Sequence, residues 1–296
     1  MRVPPLIRAL RPKQWVKNGF IPAGWFFALW DPAECALARG WIPFGRELLA
    51  VGLFSAVASG VYLFNDIRDV SADRLHPAKR TRPIASGELS VRAAGWASAL
   101  LLLGGMAGGF LVAPGFGGLC CGYVLMQLAY TLGLKRVPFV DVFVVAMGFV
   151  LRAIAGTLVV QVRLSPWLLL CVFLLALFLA LCKRRHERVA LEGETATRAV
   201  LAHYTPALLD MQIAITAACV IAAYAMYTLA PETIHRFGNA RLGLTIPFVI
   251  FGLFRYLHLV YNKEQGGAPE MVLLTDRAII CTVAGFFATA VLTFLI

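Results

Sequence analysis

Residues 46–73 read RELLAVGLFSAVASGVYLFNDIRDVSAD, a long apolar run that ends in a group of acidic residues. The apolar part has the length of a membrane-spanning helix, which needs about 20 mostly apolar residues. It lacks the alternation of polar and apolar positions over about ten residues that is typical of a strand in a membrane barrel. The stretch therefore predicts a transmembrane helix with carboxylates at one end.

The same apolar pattern recurs along the whole chain. Hydrophobic residues make up 60% of the sequence and the mean hydropathy is +0.77, whereas soluble globular proteins are about 45–50% apolar. Because a backbone in lipid must satisfy its own hydrogen bonds, continuous apolar segments of this length are helices. We predict an all-α, polytopic membrane protein: a single membrane domain, residues 1–296, with about nine transmembrane helices around a central cavity. The predicted spans are approximately 14–31, 46–67, 92–112, 116–134, 139–161, 165–182, 207–229, 243–262 and 275–296.

The positive charges are unevenly divided between the two sides of this arrangement. With nine spans and the N-terminus inside, twenty of the 27 Lys and Arg residues fall in inside segments and five in outside segments. The positive-inside rule then predicts a multi-pass protein of the cell inner (plasma) membrane, with its N-terminus and active site cytoplasmic and its C-terminus outside. The net charge of +11 is largely this topology signal and does not indicate a nucleic-acid partner. Its surplus attracts anionic membrane lipids or phosphorylated substrates.

Two of the inside connections are long, at about 68–91 and 183–206. We expect the catalytic groups in these two cytoplasmic loops, because loops on a rigid scaffold commonly carry function.

The acidic group at the end of the second span has the spacing N-D-x-x-D-x-x-x-D. At about 100° per residue, the three aspartates lie within a ~60° arc on one side of a helix. Carboxylates grouped at a helix C-terminus beside hydrocarbon need a cation, and Mg2+ suits because it binds carboxylates together with substrate phosphates. A solvated helix end paired with neighbouring arginines is the open alternative. The predicted metal ligands are Asn65, Asp66, Asp69 and Asp73, and the three aspartates are the predicted catalytic residues.

Basic residues follow the aspartates directly. Lys79, Arg80 and Arg82 suit phosphate oxygens, arginine through paired hydrogen bonds and lysine as a point charge. Acidic and basic groups side by side fit a metal–diphosphate complex, although positive charge at a cytoplasmic face also serves topology alone. A further cation, Arg152, lies inside the fifth span, where a charge costs at least ~2.5 kcal/mol on insertion scales. Arg152 would bind a phosphate if the cavity reaches that depth. The alternative is a structural arginine that donates hydrogen bonds to the helix backbone.

The acidic motif, the following Lys-Arg-Thr-Arg-Pro-Ile stretch at residues 79–84 and the nine spans resemble the UbiA superfamily of intramembrane prenyltransferases. This resemblance implies nine helices ringing a central cavity that opens laterally to lipid. It also implies magnesium and a diphosphate at the cytoplasmic mouth of that cavity.

Two departures from the usual family pattern point to one branch of the superfamily. The second acidic motif, D-x-x-x-D after the sixth span, is replaced here by Lys183-Arg184-Arg185-His186-Glu187, and Tyr130 and Lys135 are separated by four residues instead of three. These features, with the segments 11–18, 134–141 and 149–156, resemble the decaprenyl-phosphate 5-phosphoribosyltransferase branch. The resemblance implies transfer of 5-phosphoribose from phosphoribosyl pyrophosphate to a polyprenyl phosphate, with release of pyrophosphate.

Charge balance agrees with this branch. The donor carries a 5-phosphate beside its diphosphate, and the lipid acceptor brings another phosphate, so such a site needs more cations and fewer carboxylates. Lys17, Lys135, Lys183 and Arg184 are candidates for these phosphates, while Asp141 and Glu187 are candidates for ribose hydroxyls or a second metal ion. The expected substrate-binding residues are Lys17, Lys79, Arg80, Arg82, Tyr130, Lys135, Asp141, Arg152, Lys183, Arg184 and Glu187. Association between copies of the chain is left open.

Two other functions remain open at this point. A UbiA-type prenyltransferase would use the same aspartates to move a prenyl group from a polyprenyl diphosphate to an aromatic acceptor, but the altered second motif argues against it. A transporter would line a pathway with its intramembrane charges, often at broken helices near the midplane. Here the charges gather at one membrane face, which favours chemistry at that face.

Overall fold

The computed structural model describes residues 4–75, 79–163, 165–190, 199–263 and 265–295, and within these ranges the secondary structure is helical and contains no strand. Eight helices in the described ranges are long and apolar enough to cross a membrane. They are α1 (Trp41–Arg68), α2 (Val91–Val112), α3 (Pro114–Leu132), α4 (Val140–Val160), α5 (Pro166–Ala190), α6 (Pro206–Leu229), α7 (Ile246–Asn262) and α8 (Arg277–Leu295). The seventh reaches membrane-spanning length together with the 3-10 turn before it, as Arg241–Asn262. The predicted all-α, polytopic architecture is confirmed.

Short helices connect these long ones. The α-helical pieces are Pro5–Ala9, Ala23–Ala28, Cys35–Ala38, Val70–Leu75, Pro231–Phe237 and Pro269–Thr275. The 3-10 pieces are Pro12–Phe20, Leu134–Arg136, Ala199–His203, Arg241–Thr245, which leads into α7, and Gln265–Gly267.

Local sequence sets where the long helices begin. Proline occupies the first turn of α3, α5 and α6, where its missing N–H costs no hydrogen bond. The hydroxyls of Ser90 and Thr205 cap α2 and α6 by accepting hydrogen bonds from backbone N–H groups three residues later.

The first predicted span, 14–31, is not one continuous helix, and this part of the prediction is wrong. It consists of the 3-10 helix Pro12–Phe20 and the short α-helix Ala23–Ala28. Pro22 lies between them, and a proline inside a helix removes a hydrogen bond and clashes with the preceding turn.

The broken segment nevertheless runs the length of the bundle. We call the end of the molecule where α1 ends the aspartate face, and the end where α1 begins the opposite face. Arg11 contacts Asp66 near the aspartate face, whereas Trp25 donates from its indole nitrogen to the carbonyl of Ala38 near the opposite face, at 2.9 Å. The chain therefore crosses the bundle here as well, in broken helices.

Glycine in α4 allows this segment to approach closely. A Cβ atom added to Gly156 would lie 2.0 Å from the carbonyl oxygen of Ile21, and one added to Gly24 would lie 2.3 Å from the Thr157 methyl group. The two elements are thus packed backbone against backbone.

We expect Gly156→Ala to destabilise the protein by about 1–3 kcal/mol, because the Ile21 carbonyl is backbone and cannot move aside freely. Thermal unfolding of the purified protein in detergent would show a lower melting temperature. Gly122→Ala in α3 is the matched control, since open space surrounds that position. Equal melting temperatures for the two variants would contradict this packing.

The two predicted loops differ from the structure in extent. Helix α5 continues through Lys183–Glu187 to Ala190, so the first residues of the predicted loop 183–206 extend the helix, and residues 191–198 lie outside the described residues. In the loop 68–91, α1 ends at Arg68 and a short helix, Val70–Leu75, follows; residues 76–78 lie outside the described residues. The charged residues 183–187 therefore lie on the last turns of α5, and Asp73 lies on the short helix Val70–Leu75, so helical geometry sets where these side chains point.

Candidate active site

The acidic motif spans the end of α1 and the next short helix. The N–H of Asp69 donates to the carbonyl of Asn65 at 2.9 Å, and the N–H of Asp73 donates to the carbonyl of Asp69 at 2.8 Å, so the helical course continues through the break. Asp66 and Asp73 are buried, whereas the side chain of Asp69 is 39% exposed. The three carboxylates therefore differ in environment.

Arg82 brings two of these carboxylates together. Its Nη1 atom lies 3.0 Å from Asp66 Oδ1 and 2.6 Å from Asp73 Oδ2. Arg11, which sequence reasoning did not assign to the site, also contacts Asp66, with Nη2 at 2.5 Å from Oδ1. Since one guanidinium nitrogen contacts both carboxylates, Asp66 and Asp73 converge, as the spacing predicts.

The other two members of the motif turn toward helices α3 and α4. Both carboxylate oxygens of Asp69 accept from Lys135 Nζ, at 2.8 and 2.9 Å. The side-chain oxygen of Asn65 accepts a hydrogen bond from the Thr131 hydroxyl. In the described part of the chain, no three His, Cys, Asp or Glu side chains are gathered closely enough to share a metal ion. The prediction that all three aspartates converge therefore holds for Asp66 and Asp73 but not for Asp69.

The converging pair fits a divalent cation better than the full triad does. Mg2+ is usually held by only one or two carboxylates, with waters and substrate phosphates completing its octahedron. Asp66 and Asp73 supply such hard oxygen ligands at one point, which Arg82 now occupies. A cation at this point would release Arg82 to a phosphate oxygen.

The two other cations of this loop differ in exposure. Lys79 is partly buried and its carbonyl accepts from the backbone N–H of Arg82 at 2.9 Å, which helps to shape the loop. Arg80 is exposed.

A second arginine bridges two carboxylates in the same manner. Arg184 on α5 places Nε 2.6 Å from Asp141 Oδ2 and Nη1 2.6 Å from Glu187 Oε2. Its Nη2 atom also donates to the hydroxyl of Tyr130 at 3.3 Å. In place of the second acidic motif, Asp141 on α4 and Glu187 on α5 form a pair of acids that both contact Arg184.

Tyr204 completes this second group. Asp141 is fully buried and accepts a hydrogen bond from the Tyr204 hydroxyl at 2.8 Å. The same hydroxyl accepts from the backbone N–H of Phe139 at 2.6 Å. No local pattern marks Tyr204 as functional, because its partners are more than 60 residues away.

A third group surrounds Glu270 on the short helix Pro269–Thr275. Lys17 Nζ lies 3.7 Å from Glu270 Oε2, and the side-chain amide of Gln14 donates to Oε1 at 2.6 Å. Burial opposes ionisation of Glu270, but the charge of Lys17 and the Gln14 hydrogen bond outweigh it, so the pKa of this carboxyl lies below its ordinary value. Glu270 is therefore ionised at neutral pH.

Arg152 is held by neutral partners. Its Nε donates to Asn18 at 2.8 Å, its Nη1 donates to the Gly148 carbonyl at 2.6 Å, and its guanidinium lies over three aromatic rings at 5.1–5.5 Å. Such cation–π contacts stabilise a buried charge that has no carboxylate beside it. These contacts match the structural alternative, and phosphate binding by Arg152 stays a prediction. Asn18 couples Arg152 to the 3-10 helix that carries Lys17.

Known proteins resemble this chain over most of its length. Residues 24–275 match the UbiA prenyltransferase family. The decaprenyl-phosphate phosphoribosyltransferase of Corynebacterium glutamicum is 37% identical over 285 residues, which cover 93% of this chain and 82% of that protein. The protein of the same name from Mycobacterium tuberculosis is 33% identical over 96% of this chain and 92% of its own length.

Solved structures share the fold. A UbiA homolog from Archaeoglobus fulgidus, bound to DMAPP and Mg2+, superposes with a TM-score of 0.72 over 98% of this chain and 99% of that chain, at 18% identity. The structure reported for digeranylgeranylglyceryl phosphate synthase superposes with a TM-score of 0.63 over 99% and 98%, also at 18% identity. The sequence resemblance is confirmed, and this chain is a member of the UbiA prenyltransferase family.

Proposed function

We propose that this protein transfers 5-phosphoribose from phosphoribosyl pyrophosphate to a polyprenyl phosphate such as decaprenyl phosphate, in a reaction that requires Mg2+ and releases pyrophosphate. The observation that carries this proposal is the likeness, over more than nine-tenths of the chain, to curated decaprenyl-phosphate phosphoribosyltransferases. The acting membrane is the plasma membrane, and the aspartate face is cytoplasmic because the positive charges are concentrated there.

The charges around the second group support a phosphoribosyl donor. Where a family pattern would supply two aspartates after the sixth span, at positions 183 and 187, this chain has Lys183 and Glu187, and Arg184 between them pairs with both Asp141 and Glu187. A prenyl diphosphate brings only its diphosphate to the site, whereas the proposed pair of substrates brings two further phosphates. The additional cations offset this additional negative charge.

The end of the site that carries Asp66 and Asp73 binds the leaving pyrophosphate. Asp66 and Asp73 would hold the magnesium ion, and Asp69 positions Lys135. When bound, the ion neutralises negative charge on the departing pyrophosphate. Arg82, together with Lys79 and Arg80 on the same loop, binds diphosphate oxygens as charge accumulates there.

The reaction needs no nucleophile from the protein. An ionised oxygen of the polyprenyl phosphate forms a bond to C1 of the ribose while the bond from C1 to the pyrophosphate oxygen breaks. The electron pair of that bond leaves with pyrophosphate, and no proton is transferred. The protein binds and orients both phosphates, Glu187 accepts a hydrogen bond from a ribose hydroxyl, and Tyr130 donates or accepts one. The buried Asp141, paired with Arg184 and Tyr204, positions Arg184.

The test compares two substrate pairs with protein purified in detergent or reconstituted in liposomes. Radiolabelled phosphoribosyl pyrophosphate with decaprenyl phosphate is expected to yield a labelled lipid that EDTA abolishes and added Mg2+ restores. Geranyl diphosphate with 4-hydroxybenzoate tests the prenyltransferase alternative and is expected to yield no product. Prenylated product, without any labelled ribosyl lipid, would overturn the proposal, and substrate uptake into vesicles without turnover would favour a transporter.

A further inference from the structure

Four elements that are distant in sequence meet around Glu270. Lys17 comes from the 3-10 helix Pro12–Phe20, Lys183 from α5, Tyr256 from α7 and Glu270 from the short helix that precedes α8. Lys183 and Tyr256 are both near enough to Glu270 to interact with it electrostatically, and Lys17 is in ion-pair contact with it. We call these four residues the Glu270 cluster.

Glycines set the position of this cluster. A Cβ atom on Gly267 would lie 2.6 Å from the imidazole of His186, and one on Gly266 would lie 3.2 Å from the carbonyl oxygen of Cys182. The segment that leads to Glu270 therefore packs directly against α5, one turn from Lys183.

The cluster carries a surplus of positive charge. Lys17 pairs with Glu270, whereas Lys183 interacts with Glu187, which Arg184 already contacts, and with Glu270. The charges of Arg152 and Arg11 also act on Lys17. Around Asp66, Asp73 and Asp141, by contrast, each acid has an arginine in direct contact. Partly buried cations that outnumber the carboxylates around them are costly, so an anionic ligand here would be bound favourably.

Two buried polar atoms in the cluster also lack hydrogen-bond partners. The Tyr256 hydroxyl and Glu270 Oε2 are both inaccessible to solvent and make no hydrogen bond within the described residues. Tyr256 is only 6% exposed, and its ring packs edge-on against Phe178. Since buried hydroxyls are normally hydrogen-bonded, the orphaned Tyr256 hydroxyl is a second and independent indication of a missing ligand.

We propose that the Glu270 cluster is a second phosphate-binding subsite, in which Lys17, Lys183 and the Tyr256 hydroxyl bind a phosphate monoester of one substrate. It is separate from the diphosphate position at Asp66 and Asp73. Arg11 lies between the two positions, because it contacts Asp66 and its charge acts on Lys17. Glu270 neutralises part of the lysine charge while the subsite is empty.

This inference rests on the proposed function, whose reaction offers two phosphate monoesters that the subsite could bind. Both the 5-phosphate of the ribosyl donor and the headgroup of the polyprenyl phosphate are phosphate monoesters. Lysine ammonium groups bind such a dianion as point charges without demanding one orientation, and a tyrosine hydroxyl donates one further hydrogen bond.

The test measures binding of each source separately and without turnover. Ribose 5-phosphate represents the donor, farnesyl phosphate represents the lipid, and isothermal titration calorimetry in detergent gives the affinity of each. Lys183→Gln is expected to weaken one of these two probes by about tenfold or more and to change the other less than threefold. Tyr256→Phe is expected to weaken the same probe by a smaller factor, since it removes one neutral hydrogen bond and keeps the ring.

Lys263→Gln is the matched control. It makes the same substitution at an exposed position at the end of α7 and is expected to leave both affinities unchanged. Unchanged affinities in Lys183→Gln, equal loss of both probes, or a wild-type protein that binds neither would overturn the subsite. Ribosyl transfer by the wild type is assayed in parallel, so that absence of transfer marks failure of the proposed function and unchanged affinities in active protein mark failure of the subsite alone.

Discussion

Asp66→Asn is expected to lower kcat/KM for ribosyl transfer by about a thousandfold, equivalent to about 4 kcal/mol of transition-state stabilisation. The substitution keeps the shape of the side chain but removes the charge on which Arg11 and Arg82 converge. It also leaves Asp73 as the one carboxylate at the proposed metal position. Release of pyrophosphate, followed with a coupled assay at saturating Mg2+, gives the rate.

Glu88→Gln is the control for Asp66→Asn. Glu88 is an exposed carboxylate that pairs with Arg8, so the same change from acid to amide there is expected to alter the rate less than twofold. The melting temperature of both variants is measured in detergent to show that they fold. If Asp66→Asn retained a tenth or more of wild-type activity, the assignment of Asp66 to the metal position would be wrong.

Arg184→Gln is expected to destabilise the protein by about 3–5 kcal/mol, because removing one partner of a buried ion pair leaves an uncompensated charge. Asp141 is fully buried and the side chain of Arg184 is 5% exposed, so solvent cannot replace the lost partner. Glu187, which shares the same guanidinium, loses that partner as well. The apparent melting temperature in detergent is expected to fall by about 10 °C.

A second substitution separates charge from packing in this group. Arg184→Gln combined with Asp141→Asn removes both charges and keeps a hydrogen bond from Tyr204 within reach. This double variant is expected to recover at least half of the lost stability, since the unpaired carboxylate is gone. A melting temperature no lower than that of the wild type in Arg184→Gln would show that the pair does not stabilise the fold.

Most of the fold was predictable because lipid restricts what a backbone can do. A long apolar segment in a membrane must satisfy its own hydrogen bonds, so segment length and hydropathy alone indicate helices. The exception was the first span, where Pro22 breaks the helix while the chain still crosses the bundle. Hydropathy indicates that residues 14–31 cross the bundle, but it does not indicate that the helix is broken there.

Part of the candidate site was predictable for a similar local reason. Helical periodicity puts Asp66 and Asp73 on one side of a helix end, and these two converge. Periodicity does not determine which neighbouring helix supplies the counter-charge to each acid. Asp69 therefore turns to Lys135, which lies 66 residues away, instead of joining the pair.

Sequence alone thus established the helical membrane fold, the concentration of charge at one face and the acidic motif, since each depends on residues close together in the chain. Tertiary packing decided how acids and bases are paired: Arg82 between Asp66 and Asp73, and Arg184 between Asp141 and Glu187. Packing also brought in groups that no local pattern marks, above all Glu270. Their roles depend on helix-to-helix contacts between segments far apart in sequence, which spacing along one helix does not encode.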